Sequence, residues 1–77
     1  KGGDFMNIPE KETWENRLPS YLVHDIDAYI QGLKENSSLL DCYYDELYGS
    51  INIAYCTDNC ITYEQAVYLR QKYLGYE

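Results

Sequence analysis

Three cysteines and a single histidine are the side chains of this sequence best suited to metal or nucleophilic chemistry. Cys42, Cys56, Cys60 and His24 are the ligand types of a four-coordinate zinc site. Their spacing argues against one. Cys56 and Cys60 enclose Thr57-Asp58-Asn59, wider than the usual Cys-x2-Cys arrangement, and Cys42 stands well upstream of that pair. The preferred reading makes Cys42 and Cys56 small buried apolar side chains and Cys60 a turn residue near the surface. A cysteine nucleophile needs His24 beside a thiol and a third group to orient the ring. Asp25 and Asp27 are near in sequence, but they belong to the polar face of a helix, and nothing marks an oxyanion hole. His24 reads as a surface imidazole.

Paired carboxylates are the next candidates. Asp41 and Asp45, four apart on a helix, share a face one turn apart, and Glu12 and Glu15 form a second pair. Such pairs serve acid–base chemistry when a pocket raises one of the two pKa values, and a chain of 77 residues has little depth for a pocket. No loop carries the alternating oxygen ligands of a calcium site. Gly2-Gly3 lacks the lysine and hydroxyl residue of a phosphate loop. These residues therefore predict no catalytic, cofactor or metal site, and a protein that is not an enzyme. A small zinc-binding or catalytic domain is kept as an alternative.

Tyrosine is the unusual feature: there are ten. Three helices cannot hide them all, because the 3.6-residue period sends some outward. Tyr48 and Tyr68 are expected on the outside, with Tyr44, Tyr63 and Tyr76 as further candidates. Tyrosine offers large, stiff contact area with a polar tip and is enriched at interfaces for that reason. Near Asp41, Asp45 and Glu46 such rings would be aromatic anchors in a negative field. The predicted interaction residues are Asp41, Tyr44, Asp45, Glu46, Tyr48 and Tyr68.

The net charge of -7 is unevenly placed. From Glu35 to Leu69 there is no Lys or Arg, while Glu35, Asp41, Asp45, Glu46, Asp58 and Glu64 fall in that stretch. The resulting potential repels phosphate backbones and anionic lipid heads and favours basic partners. Arg70 and Lys72 are too few to build a phosphate-binding stripe. The expected partner is a protein with a basic surface, or a second copy of the chain, with no direct nucleic acid and no membrane. A sharper alternative is a DNA-mimic inhibitor, whose carboxylates would occupy a nucleic-acid-binding protein. No stretch approaches the roughly 20 apolar residues of a membrane span, and an odd cysteine count suits a reducing compartment. The expected location is the cytoplasm.

The elements that must position these residues follow from periodicity. Residues 1–17 read as an N-terminal arm or short helical turn. Pro9 and the acids at Glu10, Glu12 and Glu15 suit the start of a helical turn, and Phe5, Ile8 and Trp14 are available to pin the arm. Residues 18–77 read as an all-α domain, a small three-helix bundle beside a partly ordered arm. The first helix begins near Pro19, with Leu22, Ile26, Tyr29, Ile30 and Leu33 on one face. The second starts after Ser37 or Ser38 and buries Leu40, Tyr43, Leu47, Ile51 and Ala54. Gly49-Ser50 is a candidate kink or break, and Ser50 to Cys56 alternates enough to offer a strand as the competing reading. The third has a capping box, Thr62 with Gln65, flanked by Ile61 and Ala66, and Gly75 as its stop.

Overall fold

The computed structural model describes residues 9–75. Within them a 3-10 turn, Thr13–Arg17, precedes three helices. Helix α1 is Ser20–Glu35. Helix α2, Leu40–Asn52, runs on into a π-helical turn, Ile53–Thr57. Helix α3, Tyr63–Leu69, runs on into a second π-helical turn, Arg70–Leu74. The three-helix bundle expected from periodicity is the observed fold, and its helices run antiparallel to their neighbours. Asp25 meets Ser50 and Gly32 meets Tyr43 between α1 and α2. Tyr44 meets Leu74 and Asn52 meets Arg70 between α2 and the end of α3.

Helix α1 starts where Pro19, fixed near φ -51°, offers its carbonyl to the N–H groups of Leu22 and Val23 at 2.9 and 3.0 Å. It ends at Asn36, which adopts the left-handed region at φ 55°. There Asn36 and Ser37 donate back to carbonyls of the last turn, satisfying groups that a helix end otherwise leaves orphaned. Leu22, Ile26 and Tyr29 are buried, and Ile30 and Leu33 pack partly against them. Gly32, in the last turn, is buried. A Cβ there would lie 2.7 Å from Cδ2 of Tyr43 and 3.1 Å from Cδ1 of Leu40, so the missing side chain is what lets α2 approach. Gly32→Ala is expected to lower stability by about 1 kcal/mol, overpacking outweighing the gain in helix propensity. A higher melting temperature in the variant would show that Tyr43 moves aside without cost.

Helix α2 passes through Gly49-Ser50 without a break, and Ser50 to Cys56 is helical rather than a strand. Leu47, Ile51 and Ala54 are buried in the core that the helices share, a stronger demand on this segment than its alternating pattern. Ser50 is buried as well, and its hydroxyl donates to the Asp25 carboxylate of α1. The irregularity falls one turn later, in the wider turn Ile53–Thr57. Ahead of α2, Ser37 Oγ accepts from the Leu39 N–H at 3.0 Å.

The loop into α3 turns at Asn59, at φ 55°, and is tied to the start of α1 by Tyr21, whose hydroxyl donates to Asp58 at 2.6 Å. That bond is the main reason the Tyr21 phenol is pushed up to about 12. The capping box of α3 is formed: the Gln65 N–H donates to Thr62 Oγ1 at 3.0 Å, and the Thr62 N–H donates to Gln65 Oε1 at 2.9 Å. Ile61 and Ala66 are both buried beside it. Gly75, at φ 76°, ends the helix as its position suggests.

The helical turn of the arm lies later than Pro9 suggests. It begins at Thr13, with Glu12 as its cap. Trp14 packs on the body, while Phe5 and Ile8 lie outside the described residues, as do Lys1 to Asp4.

Candidate functional site

The six interaction residues expected from sequence are not brought together. Asp41, Asp45, Glu46 and Tyr48 lie on the solvent side of α2, all exposed. Asp41, Asp45 and Tyr48 follow at four and three residues and so form one stripe along that side. Tyr48 is 37% exposed, and Arg70 reaches across from the end of α3 to lie 6.0 Å from its ring centre. The same guanidinium donates to the Asn52 side chain. A cation that sequence places outside the acidic stretch thus borders its tyrosine end.

Tyr44 and Tyr68 belong elsewhere. Tyr44 is half-buried between α2 and α3, its ring 6.3 Å from that of Tyr29, and its hydroxyl donates to the Leu74 carbonyl at 3.4 Å. Tyr68, expected outside, is half-buried because the arm lies on it. Trp14 packs on its ring at 5.4 Å, and its hydroxyl donates to Glu15. The most exposed tyrosine in the described residues is Tyr63, at 62%, beside Tyr55 at 5.9 Å.

The largest surprise is Glu15, a carboxylate with no exposed surface at all. Lys72 Nζ donates to Oε2 at 2.6 Å and the Tyr73 hydroxyl donates to Oε1 at 2.5 Å. Tyr68 and the Glu12 N–H complete the set at 3.3 and 3.2 Å from Oε2. Lys72 Nζ also donates to the Tyr68 hydroxyl at 3.2 Å and lies 5.0 Å from the centre of the Tyr73 ring. A buried ion is tolerable when its lone pairs are filled in this way. Burial alone pushes the Glu15 carboxyl up, but the hydrogen bonds from Lys72, Tyr73 and the Glu12 N–H overcome it, and the net direction is down. Burial pulls the Lys72 ammonium down, and its bonds to Glu15 and Tyr68 carry it above the ordinary lysine value. Burial, then Glu15, raises the Tyr73 phenol.

The network fixes the pH behaviour of the arm. Glu15 has a folded pKa below its unfolded one, so its contribution is present above the unfolded value of about 4.3 and is lost as pH falls through the folded value. For Lys72 the shift is upward, so its contribution is complete below about 10.4 and lost at higher pH. The chain has one tryptophan, Trp14, which makes the arm optically visible. Quenching of its fluorescence by acrylamide should rise as pH falls below the unfolded carboxylate value of about 4.3 and on through the lowered folded one. Quenching that stays at its neutral-pH level until the helical circular dichroism is itself lost would mean that the carboxylate does not hold the arm.

Arg70 and Lys72 point to different places, one to α2 and one to the arm, and do not make a common basic patch. Several acids are also committed: Asp25 to Ser50, Asp27 to Lys11 at 2.6 Å, and Asp58 to Tyr21. The cysteines differ from what residue type suggests. Cys42 and Cys56 are exposed, like Cys60. Cys42 lies off the Leu40, Leu47, Ile51 stripe of α2, and Cys56 sits in the π-helical turn, whose wider spacing departs from the 3.6-residue period. His24 is exposed, its Nδ1 3.2 Å from Asp25 Oδ1. Among the described residues no three His, Cys, Asp or Glu side chains are grouped to hold a metal ion. Compared with protein-family models, curated proteins and solved structures, the chain matches none.

Proposed function

We propose that this domain is a non-catalytic interaction module that engages a basic surface of a partner protein through the solvent side of α2. Asp41, Asp45 and Glu46 supply the charge, and Tyr48 supplies the anchoring ring. The observation that carries this reading is the combination of those four exposed side chains on one helix that has no Lys or Arg of its own. Exposed carboxylates raise the rate of encounter with a basic partner more than they deepen the bound state, so a ring beside them is the natural source of the remaining affinity. The three free, exposed thiols suit a reducing compartment, which supports an intracellular, cytoplasmic setting.

The test is a capture from cell extract with the wild-type chain and with an Asp41→Asn, Asp45→Asn, Glu46→Gln variant. A protein with a basic surface should bind the wild type, elute with salt, and be depleted about tenfold on the variant, as expected when close charge pairs are removed from an interface. Equal recovery on both chains would reject the α2 surface.

A further inference from the structure

The arm is held on its own body much as a separate ligand would be. Its contacts reach side chains far along the chain: Lys11 to Asp27 on α1, Trp14 to Tyr68, and Glu15 to Lys72 and Tyr73. What joins it to α1 is Leu18 and Pro19, both extended, at φ/ψ of -66°/163° and -51°/145°. The link is only these two residues, and short connectors are the places where segments exchange between copies. The groove is also demanding. Without a carboxylate, the Lys72 ammonium, whose side chain is 15% exposed, keeps only the Tyr68 hydroxyl, and the Tyr73 hydroxyl loses its acceptor. What it accepts is visible in its present occupant: an aromatic ring followed directly by a carboxylate.

We propose that this groove also takes the arm of a second copy of this chain, so that two molecules exchange arms about Leu18–Pro19 into a closed two-fold dimer. Glu15 of each copy then sits on Lys72 and Tyr73 of the other. Exchange preserves the arm's contacts, so the balance is set by the effective concentration of the tethered arm, of millimolar order for a short link, and by repulsion between two chains of charge -7. The dimer therefore grows with protein concentration and with added salt, which screens that repulsion. Salt has the opposite effect on capture of a basic partner by α2, so the two ideas stand or fall separately.

The experiment pairs two variants of the 77-residue chain. Glu15→Gln spoils the arm and keeps the groove; Lys72→Met keeps the arm and spoils the groove. Each alone should be a 9.1 kDa monomer. Mixed at high concentration, they should give a heterodimer in native mass spectrometry, because one intact arm meets one intact groove. Only monomers in the mixture, or homodimers as abundant as the heterodimer, would overturn the proposal. Should either variant fail to fold, light and heavy isotopic forms of the wild type, mixed, taken briefly to acid and returned to neutral pH, serve instead. Mixed-isotope dimers that increase with salt support exchange, and their absence at near-millimolar concentration rejects it.

Discussion

Glu15→Gln is expected to cost about 3 kcal/mol of stability, the lower end of what removing one partner from a buried ion pair costs. The carboxylate accepts from Lys72, Tyr73, Tyr68 and the Glu12 N–H, and an amide presents one oxygen where two were used. Lys72 keeps a little exposure, so its ammonium recovers some hydration, which is why the lower end is chosen. The loss should first appear locally. Trp14 should become accessible to quencher at neutral pH while the helical circular dichroism of α1, α2 and α3 is retained. Urea unfolding then gives the global figure. Lys72→Met, and the double variant, close a thermodynamic cycle in which the double loss should be clearly less than the sum of the single losses. An additive result, or an unquenched Trp14 in Glu15→Gln, would mean that apolar packing of Trp14 and Leu18 holds the arm unaided.

Leu47→Ala should cost a similar amount, about 3 kcal/mol, by a different route. Leu47 is fully buried in the core that α2 shares with α1 and α3. Truncating a leucine in such a position loses transfer free energy and leaves a cavity that neighbours only partly fill. At this chain length the whole stability is on the order of 4–12 kcal/mol, so the variant should show a markedly lower urea midpoint and a lower melting temperature. Its sequence neighbour Glu46 is the control. That side chain is exposed, and Glu46→Ala should change stability by less than about 0.5 kcal/mol. The adjacent pair thus separates the two sides of α2, one building the fold and the other offering a surface. A Leu47→Ala variant as stable as the wild type would contradict the packing described here.

Much of the fold was legible because its signals are local. The leucine, isoleucine and tyrosine spacing on α1 and α2 marks buried faces, and Thr62 with Gln65 states where α3 begins. What failed to show was long-range or depended on departures from the regular helix. The role of Gly32 shows only when Tyr43 is placed against it. Ser50 and Asp25 each look like surface residues, and they are joined only when α1 and α2 pair. Residue type alone suggests burial for Cys42 and Cys56, whereas helical phase and the π-helical turn carry them outward. Glu15 is the clearest case: it stands among Glu10 and Glu12 in a polar arm, and its partners lie nearly the whole chain away. The available hint was on α3, where Lys72 sits beside Tyr73 and one turn after Tyr68, a cation among rings with no acid of its own helix nearby. Of the interaction residues, Asp41, Asp45, Glu46 and Tyr48 are exposed as periodicity requires, while Tyr68 is covered by an arm whose placement no local pattern encodes.

The most direct test of the functional claim is carboxyl footprinting of the wild-type chain alone and in complex with the protein it captures. Carbodiimide labelling of Asp41, Asp45 and Glu46 should fall sharply in the complex, while acrylamide quenching of Trp14 should be unchanged, because recognition uses α2 and leaves the arm seated. Labelling of those three residues that is the same with and without the partner would contradict the account.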